Sequence, residues 1–247
     1  MTSSTFDDRL DDWRREQESP WGRLRYSVVR HTIDRTIGGR QGLRVLDVGG
    51  GDAADSARLA DRHDVTVHDF SEPLLARAKH REPRLTTVLG DLQDARGEWD
   101  LVLCHNVVQY VPDLDVALQR ICTLLAPGGQ LSLMVPNPVG DVIASLVRMQ
   151  DPAAARQLLD ATTARTSTFD HQVRRIEADH AAQLLHDNGL TVTAHYGIRC
   201  ANDLLADDAR KQELAFWTEL ERLELTLCDR EPWVRIGRFW QLVAGRP

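Results

Sequence analysis

Leu43-Arg44-Val45-Leu46-Asp47-Val48-Gly49-Gly50-Gly51 is a short apolar run carrying one acid and closed by three glycines. Bounded by turn residues, such a run reads as a strand buried on both faces. The glycines let the chain turn sharply and bring backbone N–H groups close to a ligand. The next apolar run ends at Asp69, 20 residues after Gly49. An acid at the end of the neighbouring strand accepts the hydroxyl protons of a ribose. Together these residues point to an adenosine-bearing cofactor and leave open which one.

Outward from this unit, apolar runs at 64–68, 84–90, 99–105 and 129–135 read as further strands. Helical patterns lie between them near 53–62, 72–81 and 113–125. Ser71, Glu72 and Pro73 give an N-cap and first turn, and Pro127-Gly128-Gly129 a turn that launches the fifth strand. Upstream, residues 5–38 are charged and helical in pattern, broken at Pro20, with Leu24, Val28, Val29, Ile33 and Ile37 at helical spacing. Downstream, 138–175 breaks the alternation and reads as a helical cap or lid. A helix over 177–188 ends at Gly189, 190–200 is a strand, and 210–227 is an amphipathic helix with Leu214, Trp217, Leu220, Leu223 and Leu227 on one face. A strand-like 233–244 closes the chain. The expected fold is α/β, a doubly wound, Rossmann-like, seven-stranded and mostly parallel sheet with N-terminal helices over 1–40 and the cap insertion, all in one domain of 1–247.

Composition narrows the function classes. With 42% hydrophobic and 27% charged residues the chain can bury a core. A formal charge of −7 argues against wholesale nucleic-acid binding, without excluding a local basic patch. Four scattered cysteines form no metal-ligand spacing and read as reduced thiols. No apolar stretch is long enough to span a bilayer, and no signal-peptide pattern opens the chain. A cytoplasmic enzyme with no membrane and no metal partner is expected.

The glycines alone do not choose the cofactor, because Gly49-Gly50-Gly51-Asp52-Ala53-Ala54 also satisfies a dinucleotide pattern. Asp47 two residues before the glycines, Gly90-Asp91 after the third strand, and the absence of a Tyr-x-x-x-Lys pair shift the balance away from nicotinamide. With Asp100-Leu101-Val102 and Pro127-Gly128-Gly129 these residues resemble the seven-stranded class I S-adenosylmethionine-dependent methyltransferases. More narrowly, Phe6-Asp7-Asp8, Gly22-Arg23-Leu24-Arg25, Leu131-Ser132-Leu133-Met134 with Asn137, Arg165-Thr166, Gly197-Ile198-Arg199, Glu231-Pro232 and Gly237-Arg238 resemble the bacterial tRNA 5-carboxymethoxyuridine methyltransferases, which methylate a carboxylate on a wobble uridine.

The resemblance implies roles residue by residue. Arg25 pairs with the carboxylate of S-adenosyl-L-methionine, Asp47, Gly49, Gly50 and Gly51 shape its methionine end, and Asp69 with Phe70 holds the ribose. Asp91, Leu92 and Gln93 flank adenine, and His105 stands at the methionine end as the candidate catalytic residue. Tyr110, Arg165 and Arg199 are the candidates for the acceptor. Cys104 next to His105 points to the opposite face of its strand. Trp217, Trp233 and Trp240 are read as core. One departure concerns the acceptor: the tRNA enzymes carry consecutive lysines before the position of Arg165, where this chain has Pro152 to Asp160 with Arg156 alone. Fewer phosphate-facing cations weaken RNA binding, so a small acidic metabolite is the alternative to tRNA. A non-catalytic cofactor-binding protein is the alternative from another class.

Overall fold

The computed structural model describes residues 15–165 and 171–246. Residues 5–14, read as helical above, lie outside them. Helix α1 (Pro20–Ile37) begins at Ser19, whose hydroxyl accepts from Gly22 N–H, with Pro20 in the first turn where its missing N–H costs nothing. Its stripe of Leu24, Val28, Val29, Ile33 and Ile37 is buried. The elements that follow are β1 (Arg44–Val48), β2 (Asp64–Asp69), α2 (Glu72–Arg81), β3 (Thr86–Leu89), β4 (Trp99–His105), α3 (Leu114–Thr123), β5 (Leu125–Pro136), α4 (Pro138–Ala144), α5 (Pro152–Leu159), β6 (Thr163–Arg165), β7 (Gln172–Arg174), α6 (Ala178–Asp187), β8 (Thr191–Ile198), α7 (Leu214–Leu227) and β9 (Phe239–Gly245).

Seven strands form one sheet in the order β3-β2-β1-β4-β5-β9-β8. Only β9 runs antiparallel to its neighbours. Side-chain alternation divides the core in two. Leu46, Val48, Val102, Cys104, Leu131 and Leu133 face α3 and α6. Val45, Val67, Leu101, Leu103, Met134 and Val243 face α1 and α2. The strand order reverses between β2-β1 and β4, so the loops at the carboxyl ends of β1 and β4 diverge and leave a crevice, the usual ligand position in such sheets.

Local structure departs from the sequence reading at several places. The expected helix over 53–62 is instead a series of turns and a 3-10 segment, Ala57–Asp61. Gly49, Gly51 and Ala53 all have positive φ, and Asp52 and Asp55 are drawn into ion pairs with Arg81 and Arg25, so helix formation yields to tertiary contacts. Pro127-Gly128-Gly129 does not precede β5 but bulges within it, between the pairs Trp99–Leu125 and Leu101–Gln130. Residues 233–238 hold a 3-10 turn at Trp233–Arg235, and the last strand starts only at Phe239. Trp233 is exposed, not core, whereas Trp240 is buried with its indole N–H on Ile176 O. On α7 the buried positions are Leu220, Glu224 and Leu227; Leu214 and Leu223 are exposed. The cap contains α4, a π-helical turn at Ser145–Met149, α5 and the hairpin β6–β7.

Candidate cofactor and acceptor site

The crevice is a cavity of about 1000 Å³. Every residue singled out from the sequence lines it: Arg25, Asp47, the three glycines, Asp69, Phe70, Asp91, Leu92, Gln93, His105, Tyr110, Arg165 and Arg199.

The glycine turn is shaped by space as well as by φ. A Cβ on Gly49 would stand 2.5 Å from Val107 Cγ2, and one on Gly50 2.5 Å from the Asp47 carboxyl carbon. Asp69 is fixed by two backbone amides: Gly51 N–H donates to Oδ2 (2.9 Å) and Ser71 N–H to Oδ1 (2.8 Å). The ribose candidate is thus oriented by the same loop that carries the glycines. Asp91 caps the turn Leu92–Asp94 and shares a reciprocal capping box with Asp94, which sets the loop after β3.

At the other end of the glycine loop, polar side chains form a chain through the α1 face of the sheet. The Arg25 guanidinium donates to both oxygens of Asp55 (2.6 and 2.7 Å). Asp55 Oδ2 lies 2.8 Å from His105 Nδ1, and His105 Nε2 lies 2.8 Å from Ser132 Oγ. Gln241 Nε2 donates to Ser132 Oγ, and the Thr32 hydroxyl stands 2.8 Å from Gln241 Oε1. Arg25 and Thr32 both belong to α1, two helical turns apart, so the chain closes on the helix where it began. Both ring nitrogens of His105 have partners inside the protein. One tautomer satisfies all of them: Ser132 O–H donates to Nε2 and Nδ1–H donates to Asp55.

Electrostatics separate the carboxylates here. Burial works against charge on Asp55, yet Arg25 beside it and the His105 hydrogen bond hold its carboxyl well below the usual range. Asp47 has no such cation in contact. Burial, with Asp55 and Asp69 nearby, pushes it up to about 7, and its Oδ2 has no hydrogen-bond partner. An orphaned carboxylate oxygen beside a glycine cradle fits a ligand with an ammonium group. Asp69 on the ribose side and the Asp91–Gln93 loop fit the nucleoside half.

The cavity lining is also rich in arginine: Arg148, Arg165, Arg174, Arg175, Arg199 and Arg238 line it together with Asp141, Asp203 and Asp208. These six do not act alike. Arg175 is spent on structure, its guanidinium donating to the carbonyls of Leu158, Ala161 and Pro138, and so ties α4, α5 and the hairpin together. Arg148 pairs with Asp208 and Arg238 with Asp141. Arg199 is buried, has a φ of 62°, and holds Asp203 through two bonds of 2.8 and 2.6 Å. Its backbone is held from α7, where the Glu224 carboxylate accepts the N–H groups of Cys200, Ala201 and Asn202. Tyr110 and His171 rings stand 6.0 Å apart at the cavity edge. Cys104 is buried on the opposite face from His105.

The sequence reading missed Asp55, Ser132, Gln241, Asp203 and Glu224. Asp55 left a signal, as the second acid of Asp52-Ala53-Ala54-Asp55 directly after the glycines, and Ser132 stood in the motif Leu131-Ser132-Leu133-Met134 without a role assigned to it.

Comparison with known proteins agrees with this architecture. The family model described as Methyltransferase domain matches residues 21–195, and the chain belongs to that family: it is a class I S-adenosylmethionine-dependent methyltransferase. S-adenosylmethionine is its cofactor. The tRNA 5-carboxymethoxyuridine methyltransferase of Escherichia coli strain K12 is 28% identical over 267 aligned residues, covering 100% of this chain and 98% of that protein. A trans-aconitate 2-methyltransferase of Deinococcus radiodurans is 31% identical over 128 residues, half of this chain. Among solved structures, the magnesium protoporphyrin IX methyltransferase of Synechocystis PCC 6803 with bound SAH superposes with a TM-score of 0.63 at 16% identity, covering 96% of this chain and 94% of that one. An N-methyltransferase of Bradyrhizobium japonicum WM9 gives 0.63 at 16%, covering 99% and 97%. No helix among the described residues is long and apolar enough to cross a membrane.

Proposed function

We propose that the chain, one methyltransferase domain acting in the cytoplasm, methylates a carboxylate oxygen, and that the acceptor is the carboxymethoxy group of a modified uridine in tRNA. The observation that carries the reading is Arg199, a buried residue in a left-handed backbone conformation that lines the same cavity as the glycine loop and is braced there by Asp203. Strain kept in place by a buried carboxylate on another helix is typical of functional positions. With Arg165 and Tyr110, Arg199 receives the acceptor anion; Arg25, Asp47, Gly49, Gly50, Gly51, Asp69, Phe70, Asp91, Leu92 and Gln93 hold the cofactor. The full-length relative from Escherichia coli supports the tRNA acceptor. So does the exposed face of the cap, which presents Arg148, Arg156, Arg165 and Arg174 to solvent.

When bound, S-adenosylmethionine supplies a methyl group activated by a sulfonium. A carboxylate is already ionised near neutral pH, so the protein need not remove a proton from it. The work left to the residues is orientation and exclusion of water. His105, with both nitrogens engaged, orients Asp55 and through it Arg25; it has no free nitrogen to serve as a base.

The half-length match to a trans-aconitate methyltransferase favours a second reading, a small di- or tricarboxylate as acceptor. Methyl-labelled cofactor offered with total tRNA, or with a panel of acidic metabolites, separates the two. Label in tRNA is expected; label only in the metabolite arm replaces the tRNA reading. In the preferred arm Arg199→Lys raises KM for the acceptor by about tenfold, the cost of losing a bidentate contact, and leaves S-adenosylhomocysteine binding unchanged.

A further inference from the structure

Asp203 lines the cavity, and nothing above gives it a ligand. Its carboxylate is held by three donors: Arg199 Nε and Asn202 Nδ2 reach Oδ2 at 2.8 and 3.1 Å, and Arg199 Nη2 reaches Oδ1 at 2.6 Å. A carboxylate has about four acceptor positions, so one on Oδ1 is unfilled, and the side chain keeps 12% of its surface exposed. Burial works against its charge, yet Arg199 and these hydrogen bonds hold its carboxyl below the usual range, so near neutral pH it accepts hydrogen bonds and donates none. The two other acids of the arginine-rich lining are placed differently. Asp208 lies between Arg148 and Lys211, and Asp141 between Arg175 and Arg238. Among the described residues Asp203 touches one cation, Arg199, whose fork takes Nε and Nη2 and leaves Nη1 without a hydrogen-bond partner. The pair is neutral as a whole and offers a donor beside an acceptor. A fully ionised polycarboxylate brings acceptor oxygens only and meets Asp203 as a like charge. An imide edge, N–H next to C=O, brings one of each.

We propose that Asp203 is a specificity-determining residue for the acceptor: its carboxylate accepts the ring N–H of a uracil base, while Nη1 of the paired Arg199 donates to the acceptor's oxygens. The inference rests on the proposed tRNA acceptor and adds to it a residue that reads the base and not its carboxymethoxy group. The pair is set before any ligand arrives. Asn202 is fully buried, and its own N–H joins those of Cys200 and Ala201 on the Glu224 carboxylate, so the turn that carries Arg199 and Asp203 is fixed from α7. A base that keeps its N–H replaces the water that Asp203 loses on binding. A base without it leaves a desolvated carboxylate position unmet, the costly case for a buried acceptor. Selection thus comes from a penalty on the wrong acceptor as much as from a contact with the right one.

Methyl transfer by the full chain to two synthetic anticodon stem-loops tests this. One carries 5-carboxymethoxyuridine at the wobble position, and the other its N3-methyl form, which keeps the carboxylate and loses the ring N–H. Wild type is expected to favour the first by about tenfold or more in kcat/KM. Asp203→Ala should lower kcat/KM for the first RNA by about tenfold and change the second by less than about twofold, with S-adenosylhomocysteine affinity unchanged in calorimetry. Asp203→Asn keeps an oxygen for Arg199 and should lose the preference in the same direction; it decides the matter if Asp203→Ala does not fold. Equal loss on both RNAs makes Asp203 only a brace for Arg199 and overturns the proposal, as does a wild type that methylates both RNAs equally well. A wild type that methylates neither stem-loop removes the tRNA acceptor itself, a distinct failure.

Discussion

Gly50 shows how one atom decides the site. Its backbone needs no left-handed conformation, but a Cβ would meet the Asp47 carboxyl group at 2.5 to 2.9 Å. Gly50→Ala therefore forces Asp47 aside, and S-adenosylhomocysteine binding measured by calorimetry is expected to weaken by about tenfold or more with little change in melting temperature. Asp47 itself links the site to pH. Its carboxyl ionises near 3.8 when unfolded and about 7 when folded. The native state thus favours the proton, and this group's share of stability is full below the unfolded value and shrinks as pH rises across that window. Asp47→Asn removes the dependence: the cofactor-free variant gains at most about 4 kcal/mol over wild type above neutral pH. Melting curves between about pH 5 and 8 check the sign, and parallel slopes for both proteins would refute it.

At the scale of elements, the parallel strands were legible because each reads as an apolar run closed by Gly, Asp or His: β1, β2 and β4 match the sequence reading closely, and α2 matches residue for residue. What failed to show was decided by partners far away in the chain. Ala53 adopts a φ of 61° because the loop delivers Asp55 to Arg25, and no local pattern announces that. Leu223, placed on the apolar face of α7 from its spacing, is exposed, whereas Glu224 beside it is buried, its carboxylate accepting three backbone N–H groups from the turn after β8. The arginines of the cavity wall could be counted from the sequence, but their division into Arg175, which binds carbonyls, and Arg199, which lines the cavity while holding Asp203, could not. Two outcomes follow. Arg175→Ala deletes the tie between α4, α5 and β7 and should destabilise the fold by about 1–3 kcal/mol in chemical denaturation. Glu224→Gln turns an amide N–H toward a backbone donor and should raise acceptor KM while leaving S-adenosylhomocysteine affinity within about twofold.

The whole molecule carries a net charge of −7, so an RNA partner must be held by a local cluster and not by a basic body. On the tRNA reading, Arg156 and Arg174, the exposed cap arginines given neither to Asp208 nor to the acceptor, would supply about two phosphate contacts, which for a single strand gives a slope of about −1.4 in a plot of log affinity against log salt. A slope near zero in tRNA binding would remove the cap from the contact surface. The most direct measurement is the chemistry of the product. The purified chain is incubated with methyl-labelled S-adenosylmethionine and tRNA whose wobble uridines carry the free carboxymethoxy group, and the labelled tRNA is then treated with mild alkali. Transfer to a carboxylate predicts label in that tRNA, released by alkali as methanol and absent when the carboxyl group is missing. Label that survives alkali, or none in tRNA, would contradict it.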